Sequence, residues 1–427
     1  MHVSHPAKLV VTVVDGNLNT RVRGARVQLW YRSARTNRRG EATIRVPNRR
    51  SMYVSVNARG YGDRVVFEPF ARFRRVTVRV YRPSLQWRLY GATPERSQAQ
   101  VHIRLRPPFR TVWWVPLHGL VEFPAVVDSG VAYVGNRDGT VYAISMRIGY
   151  VLWRHPSRAG MASSPAVFGQ ELVTHSMDGR VRVLDRATGR LRWSFGVGSP
   201  IESSPIVRRG VDYFGTWDGR LIALDLRHHR VLWVRRLGAK ITSSASVAGR
   251  TLYIGDYAGR IWAVSLQGAT RWVRSVNGRI YGTPAVVHGR VFVPSSSGGS
   301  LTAFSTGGRF LWRITTGSYV YSSPAVWNGR VFFGSYNGSF YGVSASGGSV
   351  LWRVGTGGPI SGAAVVVDGI AYAGSFSGRI VGVAATSGRV VLNFHHGHYV
   401  PVSGDGMRLL LHGYSSLYAV EPVRPLR

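Results

Sequence analysis

The stretch VFFGSYNGSFYGVSASGGSVLWRVGTG occupies residues 331–357. It opens with a β-branched and aromatic run and breaks at Asn337-Gly338. It resumes as a second short run, breaks again at small residues, and ends on Leu351-Trp352 and a closing glycine. Asn-Gly between two β runs marks a tight hairpin, because such turns need positive φ at their central residues. The stretch therefore reads as three consecutive antiparallel strands. A fourth strand follows SSPAV at 322–326, just before it.

Outward from this phrase, the chain repeats it. Gly139, Gly179, Gly219, Gly259, Gly299, Gly338 and Gly378 are spaced 40, 40, 40, 40, 39 and 40 residues apart. Trp113, Trp153, Trp193, Trp233, Trp272, Trp312 and Trp352 run in register with them, and Asn393 takes the next slot. SSPAV recurs as SSPIV at 203–207, SSASV at 243–247 and GTPAV at 282–286. Four short strands in about forty residues are one propeller blade. The tryptophans read as docking rings between blades, each able to remove about 150–250 Å² from water. Seven full repeats cover 118–397, and 398–425 supply three strands more. FRTVWWVPLHG at 109–119 has Trp113 in register but lacks three strands before it, so it is expected to close an eighth blade. The fold expected is all-β: an eight-bladed β-propeller closed by an N-terminal strand and preceded by a small β-sandwich.

Composition agrees with an all-β reading. Gly, Ser, Val and aromatics dominate, and 52 glycines follow no collagen period. The chain has 427 residues, 55 Lys+Arg and 19 Asp+Glu, for a net charge of +36. Residues 1–110 hold 23 basic and 5 acidic residues, and the remainder 32 and 14, so each part carries +18 and the first is far denser. Lys8 and Lys240 are the sole lysines. Such an arginine excess reads either as affinity for polyanions or as the imprint of a GC-rich genome. The chain contains no cysteine, which excludes disulfides, thiolate metal sites, cysteine nucleophiles and a lipidated cysteine. Its start lacks the basic and long apolar regions of a signal peptide, and no apolar run reaches the roughly 18 residues of a membrane helix.

These residues resemble the pyrroloquinoline-quinone-like propeller repeats, whose docking signature is Ala-x-Asp-x-x-Thr-Gly-x-x-x-Trp. VLDRATGRLRW at 183–193 keeps Asp185, Thr188, Gly189 and Trp193, while ALDLRHHRVLW at 223–233 keeps Ala223, Asp225 and Trp233. LQWRLYGATPERSQA at 85–99 is similar to the lead-in that precedes such propellers. The resemblance covers about 85–425 and implies fold more than function. One branch holds quinone- and Ca²⁺-dependent dehydrogenases. The other is non-catalytic and includes the lipoprotein of the outer-membrane barrel-assembly machine. The dehydrogenases' cysteine pair is absent here, and so is the lipoprotein's acylated cysteine. Residues 8–82, with GARVQL, TNRRGEA and VSVNARGY, resemble a carboxypeptidase-regulatory-like (transthyretin-like) sandwich. The domains expected are 1–82 for that sandwich, 83–109 for a linker and lead-in, and 110–427 for the propeller.

Site expectations are sparse. No catalytic, cofactor-binding or metal residues are expected, and no P-loop, HExxH or GxSxG occurs. First strands line a propeller's channel, so the residues before each SSPAV should face its rim: Val121, Glu122, Ala162, Glu202, Thr242, Tyr281, Tyr321 and Ile360. Glu122, Glu202, Tyr281 and Tyr321 are the candidate ligand contacts, suited to a polar or cationic ligand. His395, His396 and His398 cluster but occupy a variable segment, and His228-His229 replace Thr-Gly in a surface turn. Asn337-Gly338-Ser339 matches a glycosylation sequon but is the hairpin turn. The Arg–aromatic alternation at 70–83 reads as a strand with one solvated face rather than a nucleic-acid grip.

The function expected is a non-catalytic protein-interaction or ligand-binding scaffold of the cell envelope, a location implied by the resemblance alone. A quinone-dependent dehydrogenase and a polyanion-binding module are the alternatives. A protein partner is expected, with an anionic polymer or membrane surface possible through arginine. Nucleic acid is not expected as a partner, and a monomer is favoured over an oligomer.

Overall fold

The computed structural model describes residues 7–46, 51–68, 75–157, 159–400 and 402–423. The chain divides into two compact units, Met1–Gln86 with Asp405–Met407, and Trp87–Gly404 with Arg408–Arg427.

The first unit holds β1 (Ala7–Asp15), β2 (Arg26–Leu29), β3 (Arg32–Arg35), β4 (Glu41–Val46), β5 (Met52–Asn57), β6 (Arg64–Glu68) and β7 (Arg75–Val80). They form two sheets, β4-β1-β7 and β3-β2-β5-β6. Period-two alternation sends Val27, Leu29, Val54, Val56, Val76 and Val78 into one core shared with Val11 and Val13 of β1. The arginines between them face outward. Residues 70–74 of the Arg–aromatic stretch lie outside the described residues. The remainder, β7, alternates with Val76, Val78 and Val80 buried and Arg75 exposed.

In the second unit, eight sheets of four antiparallel strand positions follow one another among the described residues, the seventh gaining a short parallel strand, Ala99–Gln100, beside Val366 and Val367. We number them as blades one to eight. Blades one to seven span 126–156, 166–196, 206–236, 246–275, 285–315, 325–355 and 365–394. Blade eight takes Val402–Gly404, Leu409–His412 and Ser416–Pro422 from the end of the chain, and Phe109–Pro116 from before blade one. Trp113 pairs with Ala419 across that join. The expected eight-bladed ring with an N-terminal closing strand is borne out.

Each fourth strand carries a one-residue bulge, beside a tryptophan in every blade but the seventh, where Leu392 takes that place; Trp153, for example, pairs with Ala143 and the register then slips. The indole reaches forward into the next blade. The Trp312 N–H donates to the Ala345 carbonyl at 3.1 Å, and its ring lies on Gly348. Gly348 has φ +74°, and a Cβ there would stand 2.6 Å from the indole, so glycine is required twice over. Trp113, Trp153, Trp233, Trp272 and Trp352 donate likewise to Met146, Arg186, Leu266, Thr306 and Ala385. Trp193 is the exception. His229 stands where that glycine would be, at φ +54°, and its ring meets the indole at 4.3 Å. The Trp193 N–H is left without a partner.

The slot expected at Asn393 falls one residue earlier, on Leu392, which pairs with Gly382 as Trp352 pairs with Gly342. Blade seven would dock onto the turn between the third and fourth strands of blade eight, but those strands come from opposite parts of the chain and no turn joins them. Leu392→Trp is therefore expected to add less than about 0.5 kcal/mol of stability, because the larger ring would find no turn to dock on. A urea-unfolding midpoint matching the parent checks this.

Two further devices hold the inner ring. Hydroxyls of the SSPAV phrase stitch neighbouring blades: the Ser164, Ser204, Ser244 and Thr283 amides donate to the side chains of Ser204, Ser244, Thr283 and Ser323, at 2.8–3.2 Å. The second device is the segment 87–100, which threads the channel. The amides of Val127, Val167, Val247, Val286, Val326 and Val366 donate to the carbonyls of Trp87, Arg88, Pro94, Glu95, Ser97 and Gln98 in turn. At blade three the Arg96 guanidinium substitutes, taking the Ser204 and Pro205 carbonyls, with Ala245 and Tyr90 as further acceptors. Arg96 is fully buried. This plug occupies the stretch expected to be linker and lead-in.

Candidate functional site

Two positions of the forty-residue repeat line the mouth of the channel. One precedes the inner strand and holds Glu122, Ala162, Glu202, Thr242, Tyr281, Tyr321 and Ser361. The other precedes the hairpin turn and holds Arg137, Met177, Trp217, Tyr257, Ser297, Tyr336 and Phe376. Within a blade the two positions touch. Arg137 pairs with Glu122 at 2.8 Å, the Trp217 indole donates to Glu202 at 3.0 Å, and the Tyr321 and Tyr336 rings meet at 5.3 Å.

From these positions Glu122, Thr242, Tyr281, Tyr321, Tyr336, Ser361 and Phe376 line a cup of about 540 Å³, together with His398, Tyr399, Val400 and Tyr414. Its wall over blades five to eight is a chain of aromatic rings. Tyr281 meets Tyr321 at 5.5 Å, Tyr336 meets Phe376 at 5.9 Å, and Phe376 meets Tyr399 at 5.1 Å. His398 meets Tyr399 at 4.5 Å and Tyr414 at 5.2 Å. Tyr90, on the plug, is part of the lining and donates to Ser323 at 3.0 Å.

The structure brings three of the four candidate contacts together. The Tyr281 hydroxyl, on blade five, donates to Glu202, on blade three, at 2.6 Å, and Tyr321 abuts Tyr281. Glu122 faces the same cup from blade one and is held by Arg137. Burial pushes the Tyr281 phenol well above its usual range, and the nearby Glu202 charge adds to this, so it remains a donor. Burial likewise raises the Glu122 carboxyl, with Arg137 opposing.

Two rim readings need correction. Ile360 is fully buried between blades, in the class of Ile201, Ile241, Ile280 and Val320, and the following Ser361 lines the cup. Val121 is buried in the same way. The slip arises because SGAAV at 361–365 lacks the proline that sets the frame in SSPAV. Sequence reasoning also missed Tyr336, Phe376, Trp217 and Tyr257. The signal was present: all stand immediately before the turn glycine's neighbour, at the repeat spacing.

Lys240 lies on the Trp217 ring at 3.3 Å and near Tyr257 at 5.1 Å, and Arg279 reaches Tyr257 at 5.9 Å. Of the clustered histidines, His398 lines the cup, and burial keeps its imidazole below the usual pKa. His396 instead stacks on Tyr418 at 5.9 Å.

The residues present do not fit a hard cation or pyrroloquinoline quinone. A hard cation needs several converging oxygens, yet no group of three or more His, Asp or Glu converges among the described residues. Glu122 is engaged by Arg137, and Glu202 by two neutral donors. The quinone is a tricarboxylate and would meet both glutamates. No helix among the described residues is long and apolar enough to cross a membrane, which leaves strand-built crossings untouched.

The sequence model of the family described as outer membrane protein assembly factor BamB matches residues 86–245, 137–281, 218–307 and 258–394. No curated protein sequence matches. BamB from Moraxella catarrhalis is 19% identical with a TM-score of 0.64, over 75% of this chain and 99% of that one. The quinohemoprotein alcohol dehydrogenase of Comamonas testosteroni is 13% identical with a TM-score of 0.69, over 80% and 82%. A computationally designed protein, Ika8, is 16% identical with a TM-score of 0.64, over 72% and 98%. Identities this low speak for a shared fold alone. The family match is of another kind, for it runs over most of the propeller and begins at the plug: the chain belongs to the BamB family of pyrroloquinoline-quinone-like repeat propellers.

Proposed function

We propose that this chain is a non-catalytic interaction scaffold of the cell envelope, working through the aromatic cup at the mouth of its propeller channel. The observation that carries the reading is the cup itself. Buried aromatics at the centre of a concave site supply most of the energy in protein and ligand recognition. Here the rings converge while Glu122 is held by Arg137 and Glu202 by Trp217 and Tyr281, in an arrangement suited to holding rather than to proton transfer. The envelope location follows the family's description as an outer membrane assembly factor. The N-terminal unit, with its carboxypeptidase-regulatory-like character, serves as an arginine-faced spacer.

Affinity capture from an envelope extract, with bound proteins identified by mass spectrometry, tests this. A defined protein that survives high salt and is lost with Tyr336→Ala/Phe376→Ala is the expected result. Capture of nucleic acid or anionic polymer alone, lost at high salt and insensitive to the rim variant, overturns it. The charge of +36 would then govern binding.

A further inference from the structure

We propose that the cup takes a neutral saccharide unit. This deepens the reading of the cup as the working site and rests on it.

Charge narrows the choice first. Glu122 and Glu202 face Arg137, Lys240 and Arg279 around the mouth, and Arg96 lies buried against the Tyr90 ring at 5.4 Å. A small anion meets two carboxylates, and a small cation meets more positive groups than negative ones. Neither sign is served, so a neutral ligand with many polar groups fits best. The cup's volume of about 540 Å³ lies within the range of small-molecule sites.

The wall narrows it further. Tyr281, Tyr321, Tyr336 and Tyr399 line the cup with aromatic rings, which suit carbon–hydrogen surface, and with hydroxyls, of which that of Tyr281 already donates to Glu202. A pyranose presents those two chemistries together, an apolar ring face bordered by hydroxyls.

Hydrogen-bonding capacity is left over. Glu202 stands behind the lining, held by Trp217 and Tyr281, but Glu122 lines the cup with one oxygen taken by Arg137, and a carboxylate oxygen has room for about two donors. The buried Nδ1 of His398, in the same lining, has no hydrogen-bond partner. Sugar hydroxyls suit both a carboxylate and a neutral imidazole, because each hydroxyl is donor and acceptor. A carboxylate acceptor makes the stronger, charge-assisted bond.

The test is the full chain on an array of neutral and anionic glycans, followed by titration calorimetry with the neutral disaccharide retained best. Neutral glycans should be retained. Glu122→Gln and Tyr336→Ala should each weaken binding by about tenfold or more. Tyr53→Ala, on the N-terminal unit, should leave it unchanged. Unfolding midpoints equal to the parent's show that both rim variants are folded. Retention of no glycan overturns the proposal. So does retention surviving the Glu122→Gln/Tyr336→Ala double variant, or retention of anionic glycans alone that salt abolishes. If the proposal fails while rim-dependent protein capture persists, the scaffold reading stands without the saccharide.

Discussion

Arg96→Ala should destabilise the propeller by about 3–5 kcal/mol, the scale seen when one member of a buried charged network is removed. Arg96 donates to the carbonyls of Ala245, Tyr90, Ser204 and Pro205. Truncation leaves these buried acceptors unsatisfied, at about 1–3 kcal/mol for each that water cannot reach. Against this stands the desolvation of the guanidinium, which pushes its pKa down to about 10 and leaves it charged at neutral pH. The variant carries no guanidinium and so no longer bears that cost, which is why the net loss falls below the sum of four orphaned carbonyls. Arg96→Met restores volume without donors and should recover less than half of the loss. Urea-unfolding midpoints decide: an Arg96→Ala midpoint equal to the parent's would show that the plug is dispensable.

The second large effect is expected at Trp352. Its ring packs on Phe332 at 5.6 Å and Phe340 at 5.4 Å and lies against Gly388, while its N–H donates to the Ala385 carbonyl of the next blade at 3.0 Å. Trp352→Ala removes a ring that is 8% exposed and should cost about 3–5 kcal/mol. Trp352→Phe keeps most of the packing and loses the donor, for about 1–2 kcal/mol. The contrast with Trp193→Phe is informative, because the Trp193 N–H has no partner to lose. A Trp193→Phe loss as large as that of Trp352→Phe would remove the N–H bond from the account.

Much of this architecture could be read from the residues. The forty-residue spacing of Gly and Trp specified blades, their number and the closing strand, because a turn that needs positive φ and a ring that needs a glycine beneath it tolerate few substitutes. The cup was legible in half. Positions preceding SSPAV pointed to Glu122, Glu202, Tyr281 and Tyr321, while the second rim position went unread because its residues, Arg137, Trp217, Tyr257 and Phe376 among them, share no chemical type. Their common property is a place in the turn, which period alone reveals. The plug was harder still. GATPERSQA at 91–99 reads as loop, since its bonds go to strands far along the chain and three of its residues, Ala92, Arg96 and Gln98, adopt left-handed backbone. Non-glycine residues hold such conformations when the surroundings over-determine them, and those surroundings do not exist until the ring has formed.

That plug also acts as a ruler. Its carbonyls meet blades one, two, four, five, six and seven in ascending order, with Arg96 answering for blade three. The inner circumference is thus measured against a fixed length of chain that is synthesised before any blade. An open array of repeats can gain or lose a unit at little cost, since each touches only its neighbours. Here a missing or additional repeat would shift every later blade off its mark on the ruler. The same segment that fills the bore fixes how many blades surround it.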